Sequence, residues 1–164
     1  MQRVLLKIAV AVLPLLVGCA AMSEWAAGSI TEGIPKMRKK LPRTTNVYFA
    51  DPVNAYGYAL HERSRRQVQN AFGKAFEASG VSCSMQTNGC DYTFHVVVEN
   101  WEYGDSGFLG SGDRDRVSMA VMLQNRETGR VVARASLYAR NLDLLAEKYV
   151  KRLFDDGEKD SHTR

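Results

Sequence analysis

Cysteine and histidine are the residue types best fitted to bind metal or attack a substrate, and this chain of 164 residues holds three of each. His61 stands beside Glu62, but no histidine follows four residues on, so the zinc-protease spacing is missing. His95 lies in an alternating apolar stretch and His162 in a polar end segment. No serine occupies a G-x-S-x-G elbow. The glycine-rich stretch 107–112 falls between two expected strands, not at the start of a helix whose N–H groups could hold phosphate. Asp105, Asp113 and Asp115 lack the spacing of a calcium loop. These patterns predict a protein that is not an enzyme and uses no metal and no cofactor.

Cys19 differs because of what precedes it. Arg3 and Lys7 open the chain, residues 8–17 are apolar, and Leu16-Val17-Gly18 leads into the cysteine. A basic start, a short apolar run and small residues are the layout of a secretory signal. The run is about half the roughly 20 residues that a membrane-spanning helix needs. Leu16-Val17-Gly18-Cys19 resembles the lipobox of bacterial lipoproteins, which implies that residues 1–18 are a signal peptide and that Cys19 becomes an acylated (palmitate-type) N-terminus. Ala20-Ala21 lacks the aspartate that retains such proteins at the inner membrane, so the expected place is the outer membrane, facing the periplasm. Several acyl chains anchor stably where one binds only marginally.

Removing Arg3 and Lys7 would halve the formal net charge of +4, so the sequence pI near 9.0 overstates how basic the mature protein is. Nucleic acid is not an expected partner. Export also changes the reading of Cys83 and Cys90. In an oxidising compartment, six intervening residues with an Asn88-Gly89 turn predict a disulfide worth about 2–3 kcal/mol. A redox pair is the weaker alternative, since there is no C-x-x-C.

The elements that must position these residues follow from periodicity. Residues 19–45 show none, and are expected to be a lipid-anchored flexible tether of about 30 Å as a coil. Its basic cluster of Lys36, Arg38, Lys39, Lys40 and Arg43 is either solvated or drawn to anionic head groups. A domain should then span 46–154, ahead of a polar tail over 155–164. Residues 46–50 read as a strand stopped by Asp51-Pro52. Ser64 and Gln67 fit a capping box, and Val68, Phe72, Ala75, Phe76 and Ser79 recur at helical spacing until Gly80. Short strands are expected at 81–85 and from Tyr92 to about Trp101. An antiparallel hairpin should follow from 116–125 and about 131–138, then a helix from about Asn141. The order β-α-β-β-β-α predicts a single α+β sandwich, a mostly antiparallel sheet with two helices on one face.

The other sheet face then carries Thr93, His95, Val97, Glu99, Ser118, Ala120, Met122, Gln124, Val132, Arg134, Ser136 and Tyr138. That mixture suits either water or a docked partner. His95, Arg134 and Tyr138, with Phe108-Leu109 at the tip of the glycine-rich loop, are the candidate partner-binding residues.

The stretch from Trp101-Glu102 through Asp115-Arg116-Val117 and the Thr128-Gly129 turn to the last helix resembles a family of uncharacterised bacterial lipoproteins, a domain of unknown function. The resemblance covers most of residues 46–154 and implies no catalytic residues. The element order is also similar to small envelope-assembly domains, those of the curli secretion lipoprotein and the amino-terminal domain of the Tol-Pal propeller protein. The expected function is a non-enzymatic envelope lipoprotein presenting an interaction domain to another, unidentified envelope protein. The alternatives are a periplasmic small-ligand binding or sensing lipoprotein, marked by a deep apolar pocket, and a cell-wall enzyme, marked by a cleft gathering His95, Glu99 and Arg134.

Overall fold

A computed structural model describes residues 27–34, 37, 39–104 and 115–154. Among these residues seven strands and two helices follow one another: β1 (Gly28–Glu32), β2 (Asn46–Phe49), β3 (Val53–Asn54), α1 (Glu62–Ala78), β4 (Ser82–Ser84), β5 (Tyr92–Glu102), β6 (Arg116–Asn125), β7 (Val131–Ala139) and α2 (Leu142–Leu153). They form one sheet ordered β1-β7-β6-β5-β2-β4, with β3 also on β5. Pairing is antiparallel from β1 through β5 and parallel among β2, β3, β4 and β5. The fold is α+β, as the periodicity predicts. No described helix is long and apolar enough to cross a membrane.

Alternation along the central strands decides which side is closed. Phe94, Val96 and Val98 of β5, Val117 to Leu123 at every second position of β6, and Ala133, Ala135 and Leu137 of β7 are buried on one face. The helices cover that face with Val68, Phe72 and Phe76 from α1 and Leu145, Tyr149 and Leu153 from α2. Phe94 is the hub, its ring centroid 5.5 Å from Phe49, 5.0 Å from Phe72 and 5.3 Å from Phe76. Such pairs add about 0.5–1.5 kcal/mol each beyond the area they bury.

Local signals end the helices where their chemistry requires. Gly80 takes φ +68, and the N–H groups of Gly80 and Val81 donate to the carbonyls of Glu77 and Phe76, satisfying two end carbonyls of α1. Asn141 caps α2, its side chain accepting from the Leu144 N–H at 3.1 Å. The β6–β7 turn closes on Asn125, whose side-chain oxygen accepts from the N–H and the hydroxyl of Thr128, both at 2.8 Å.

Four expectations are corrected. The segment 19–45 is not all tether: β1 lies inside it, pairs with β7, and is preceded by a fully buried Ala27. Leu41 also donates its N–H to the carbonyl of Leu153 at 2.9 Å. Ser64 does not cap α1, which starts at Glu62; the hydroxyl lies buried within the helix and meets the Tyr103 hydroxyl at 2.6 Å. Val53–Asn54 forms a strand, continuing the line of β2 along β5 after the break at Asp51-Pro52. The fourth correction is the bridge, since Cys83 and Cys90 are free thiols. Cys83 and Tyr92 pair with Val47 from opposite sides. Cys83 sits in β4, and Cys90 precedes the first residue of β5 by two positions. The Cys90 thiol instead points at the carbonyls of Gln86 and Asn88, 3.4 and 3.8 Å away.

Candidate functional site

The sheet face away from the helices is built by the residues that alternate with the core. Register sets them in rows: His95 opposite Met122 and Met122 opposite Arg134; Val97, Ala120, Ser136 and Thr31 in line; Ser118, Tyr138 and Ser29 in line. Arg134 and Ser136 are exposed, and His95, Met122 and Tyr138 are half-buried. His95 meets the side-chain oxygen of Gln124 at 3.3 Å. The structure thus brings His95, Arg134 and Tyr138 onto one face. Ser29 and Thr31 of β1, which carry no periodic signal, extend it.

Glu99 does not join them. A bulge between Val98 and Asn100 takes it out of the alternation. It lines instead an open cleft of about 260 Å³ with Asn54, His61, Ser64 and Tyr103. The grouping of His95, Glu99 and Arg134 that marks a cell-wall enzyme is therefore not assembled. Cys19, Phe108 and Leu109 lie outside the described residues. Among the described residues, no three His, Cys, Asp or Glu side chains are gathered closely enough to hold a metal ion.

A second cleft, of about 310 Å³, opens between the two helices above the ends of β5, β6 and β7. Gln67, Asn70 and Lys74 line it from one side of α1, and Leu142 and Asp143 from the first turn of α2. Trp101, Asp115 and Val117 form its floor, with Arg140 at the rim. Asp115 is held in place by the Gly104 N–H at 2.9 Å and the Trp101 indole N–H at 3.4 Å. Trp101 stacks on Tyr103 at 5.8 Å. A deep apolar pocket would mark the alternative of a small-ligand binding protein; this cleft is open and lined by polar and apolar groups alike. Its residues span positions 67 to 143, so only their three-dimensional convergence reveals it.

Burial raises two groups against the core. The Cys83 thiol is pushed up to about 12, chiefly by burial and then by Cys90. The Tyr149 phenol is raised by burial and by the nearby Glu32 carboxylate. Its hydroxyl has no hydrogen-bond partner and borders a cavity of about 60 Å³ lined by Glu32, Arg134 and Arg152.

Solved structures that share this architecture include three of note. Two are PelC dodecamers from Paraburkholderia phytofirmans. One, carrying a single Leu-to-Met substitution, is 19% identical with a TM-score of 0.52, covering 77% of this chain and 93% of that one. The other is 17% identical with a TM-score of 0.53, covering 77% and 94%. The third, XCC0632 from Xanthomonas campestris, belongs to the family of unknown function DUF330; it is 15% identical with a TM-score of 0.53, covering 84% and 97%. At these identities the likeness is one of fold. No family model matches the sequence, and no curated protein does.

Proposed function

We propose that this protein is a lipid-anchored component of the bacterial outer membrane, facing the periplasm, whose α+β domain binds another envelope protein and catalyses no reaction. The observation that carries this reading is the one-sided sheet. Helices close one face, and the other presents Arg134, Ser136 and Tyr138 from β7 beside His95 and Met122. Tyr and Arg are residue types favoured at interface hot spots. The fold shared with PelC supports the reading, because the PelC structures are dodecamers, so a domain of this architecture can present a surface for association.

The anchor adds a constraint. Eight residues separate Cys19 from Gly28, the first residue of β1. Fully extended they reach at most about 30 Å, so a lipid on Cys19 would hold the domain close to its membrane and raise its local concentration near a partner there. Two variants separate the parts of the proposal. Cys19→Ser should abolish fatty-acid incorporation and release the protein from membranes. Arg134→Glu with Tyr138→Ala should abolish crosslinking to the envelope partner while leaving lipidation and thermal stability intact. Full membrane retention of the first variant, or unchanged crosslinking of the second, would count against the corresponding half.

A further inference from the structure

We propose that the cleft between the helices binds a small zwitterion, an ammonium and an oxyanion carried on one compact, partly apolar body. Three observations converge on it. Lys74 on α1 and Asp143 on α2 line the cleft from opposite sides, and among the described residues neither makes an ion pair. The side-chain oxygen of Gln67, on the same wall as Lys74, is buried without a hydrogen-bond partner. An acceptor in that state costs free energy until a donor reaches it. Trp101, Val117 and Leu142 supply apolar surface between these polar groups. The volume of about 310 Å³ sits at the small end of ligand sites, which run roughly 300–1,000 Å³.

The parts assign the poles of the ligand. Its ammonium donates to the Asp143 carboxylate and, once the side chain turns to uncover it, to Gln67 Oε1; its oxyanion accepts from Lys74; its carbon body lies on Trp101 and Leu142. Asp115, a second carboxylate in the cleft, is already engaged by Gly104 and Trp101, and Arg140 stands at the rim; a ligand with no charge or a single charge would leave Lys74, Asp143 or both without an opposite charge. Two sources share this chemistry: a free apolar amino acid and the phosphoethanolamine headgroup of a membrane lipid. The site itself is independent of the function proposed above. Only the lipid source rests on it, through Ala27, whose carbonyl accepts from the N–H groups of Arg140 and Asn141 and so ties the end of the anchoring segment to the cleft rim.

Calorimetric titration of the detergent-solubilised full chain with L-leucine and with glycerophosphoethanolamine tests the inference. Saturable binding of one of them is expected, weakened about tenfold or more by Lys74→Ala and by Asp143→Ala. N-acetyl-leucine, which lacks the ammonium, should bind the unmodified protein no better than leucine binds Asp143→Ala, and should lose nothing further in that variant. Gln67→Leu separates ligation from packing, because it removes a buried unpaired acceptor: affinity should fall while the melting temperature holds or rises. Binding of leucine assigns the free amino acid; binding of glycerophosphoethanolamine assigns the headgroup. Failure of both probes, equal binding of leucine and N-acetyl-leucine, or a Gln67→Leu variant that loses stability but not affinity would overturn the proposal. None of these outcomes bears on anchoring, which Cys19→Ser reads separately.

Discussion

A side-chain carbon on Gly28 would stand 1.9 Å from the carbonyl oxygen of Tyr138. The two residues belong to β1 and β7, where Gly28 pairs with Ala139 and Ser29 with Tyr138. Gly28 also has φ +118, outside the range that L side chains adopt readily. The absence of a side chain at this one position is what lets β1 lie against the sheet. Gly28→Ala should therefore cost roughly 1–3 kcal/mol and loosen β1. Hydrogen exchange would show it as faster exchange of amides in residues 135–139. An unchanged melting temperature and unchanged exchange would mean that β1 tolerates the carbon by shifting.

Tyr149 should make stability fall in alkali. Its phenol is raised above the ordinary value of 10.0. The folded chain therefore keeps a proton that the unfolded chain releases above about pH 10, and stability is lost as pH rises from there. Below that pH the group contributes no slope. Tyr149→Phe removes the hydroxyl that lacks a partner, so stability at neutral pH should change by less than about 1 kcal/mol in either direction. The alkaline slope should shrink. Chemical denaturation at neutral pH and near pH 11 measures both; equal slopes in the two proteins would contradict the assignment.

Cys83 should resist alkylation. Its thiol is pushed up to about 12, so almost none is thiolate at neutral pH, and the thiolate is the reactive form. Mass spectrometry after a timed iodoacetamide pulse should find Cys83 labelled only slowly until the protein unfolds. The same shift acts on stability in the direction of Tyr149, beginning near the ordinary thiol value of 9.0. Fast labelling in the folded state would show that the thiol is not held neutral by the core.

Phe94→Ala should be the most damaging single truncation of the core. The ring is fully buried and meets Phe49, Phe72, Phe76 and Tyr149, so its loss opens a cavity between sheet and both helices. A cost of about 3–5 kcal/mol is expected from urea unfolding. Phe154→Ala makes a useful comparison. It is as well buried but stands at the end of the described chain with one aromatic neighbour, Phe76, and should cost less.

The sequence by itself determined the parts that local chemistry controls. The alternation of Val117, Met119, Val121 and Leu123 defines β6 and its inner face, because side chains one residue apart must point to opposite sides of a strand. The stripes on α1 and α2, the glycine after α1 and the asparagine before α2 are equally legible, since each meets a requirement set within a few residues. The open face with His95, Arg134 and Tyr138 follows from the same alternation.

Tertiary structure decided the rest. Gly28–Glu32 has too few apolar residues to announce a strand and becomes one because the edge of β7 offers unpaired backbone groups. Ser64 has the right neighbours for a cap, yet the helix starts two residues earlier and the hydroxyl instead meets that of Tyr103, 39 residues away. Between Cys83 and the strand that follows Cys90, β2 is inserted, pairing with both β4 and β5, a strand order that no local pattern encodes. The cleft between the helices needs α1, three strand ends and the start of α2 to meet, and its polar residues are individually ordinary. Periodicity tells which face of an element is buried; only the packing of distant elements tells what that face encloses.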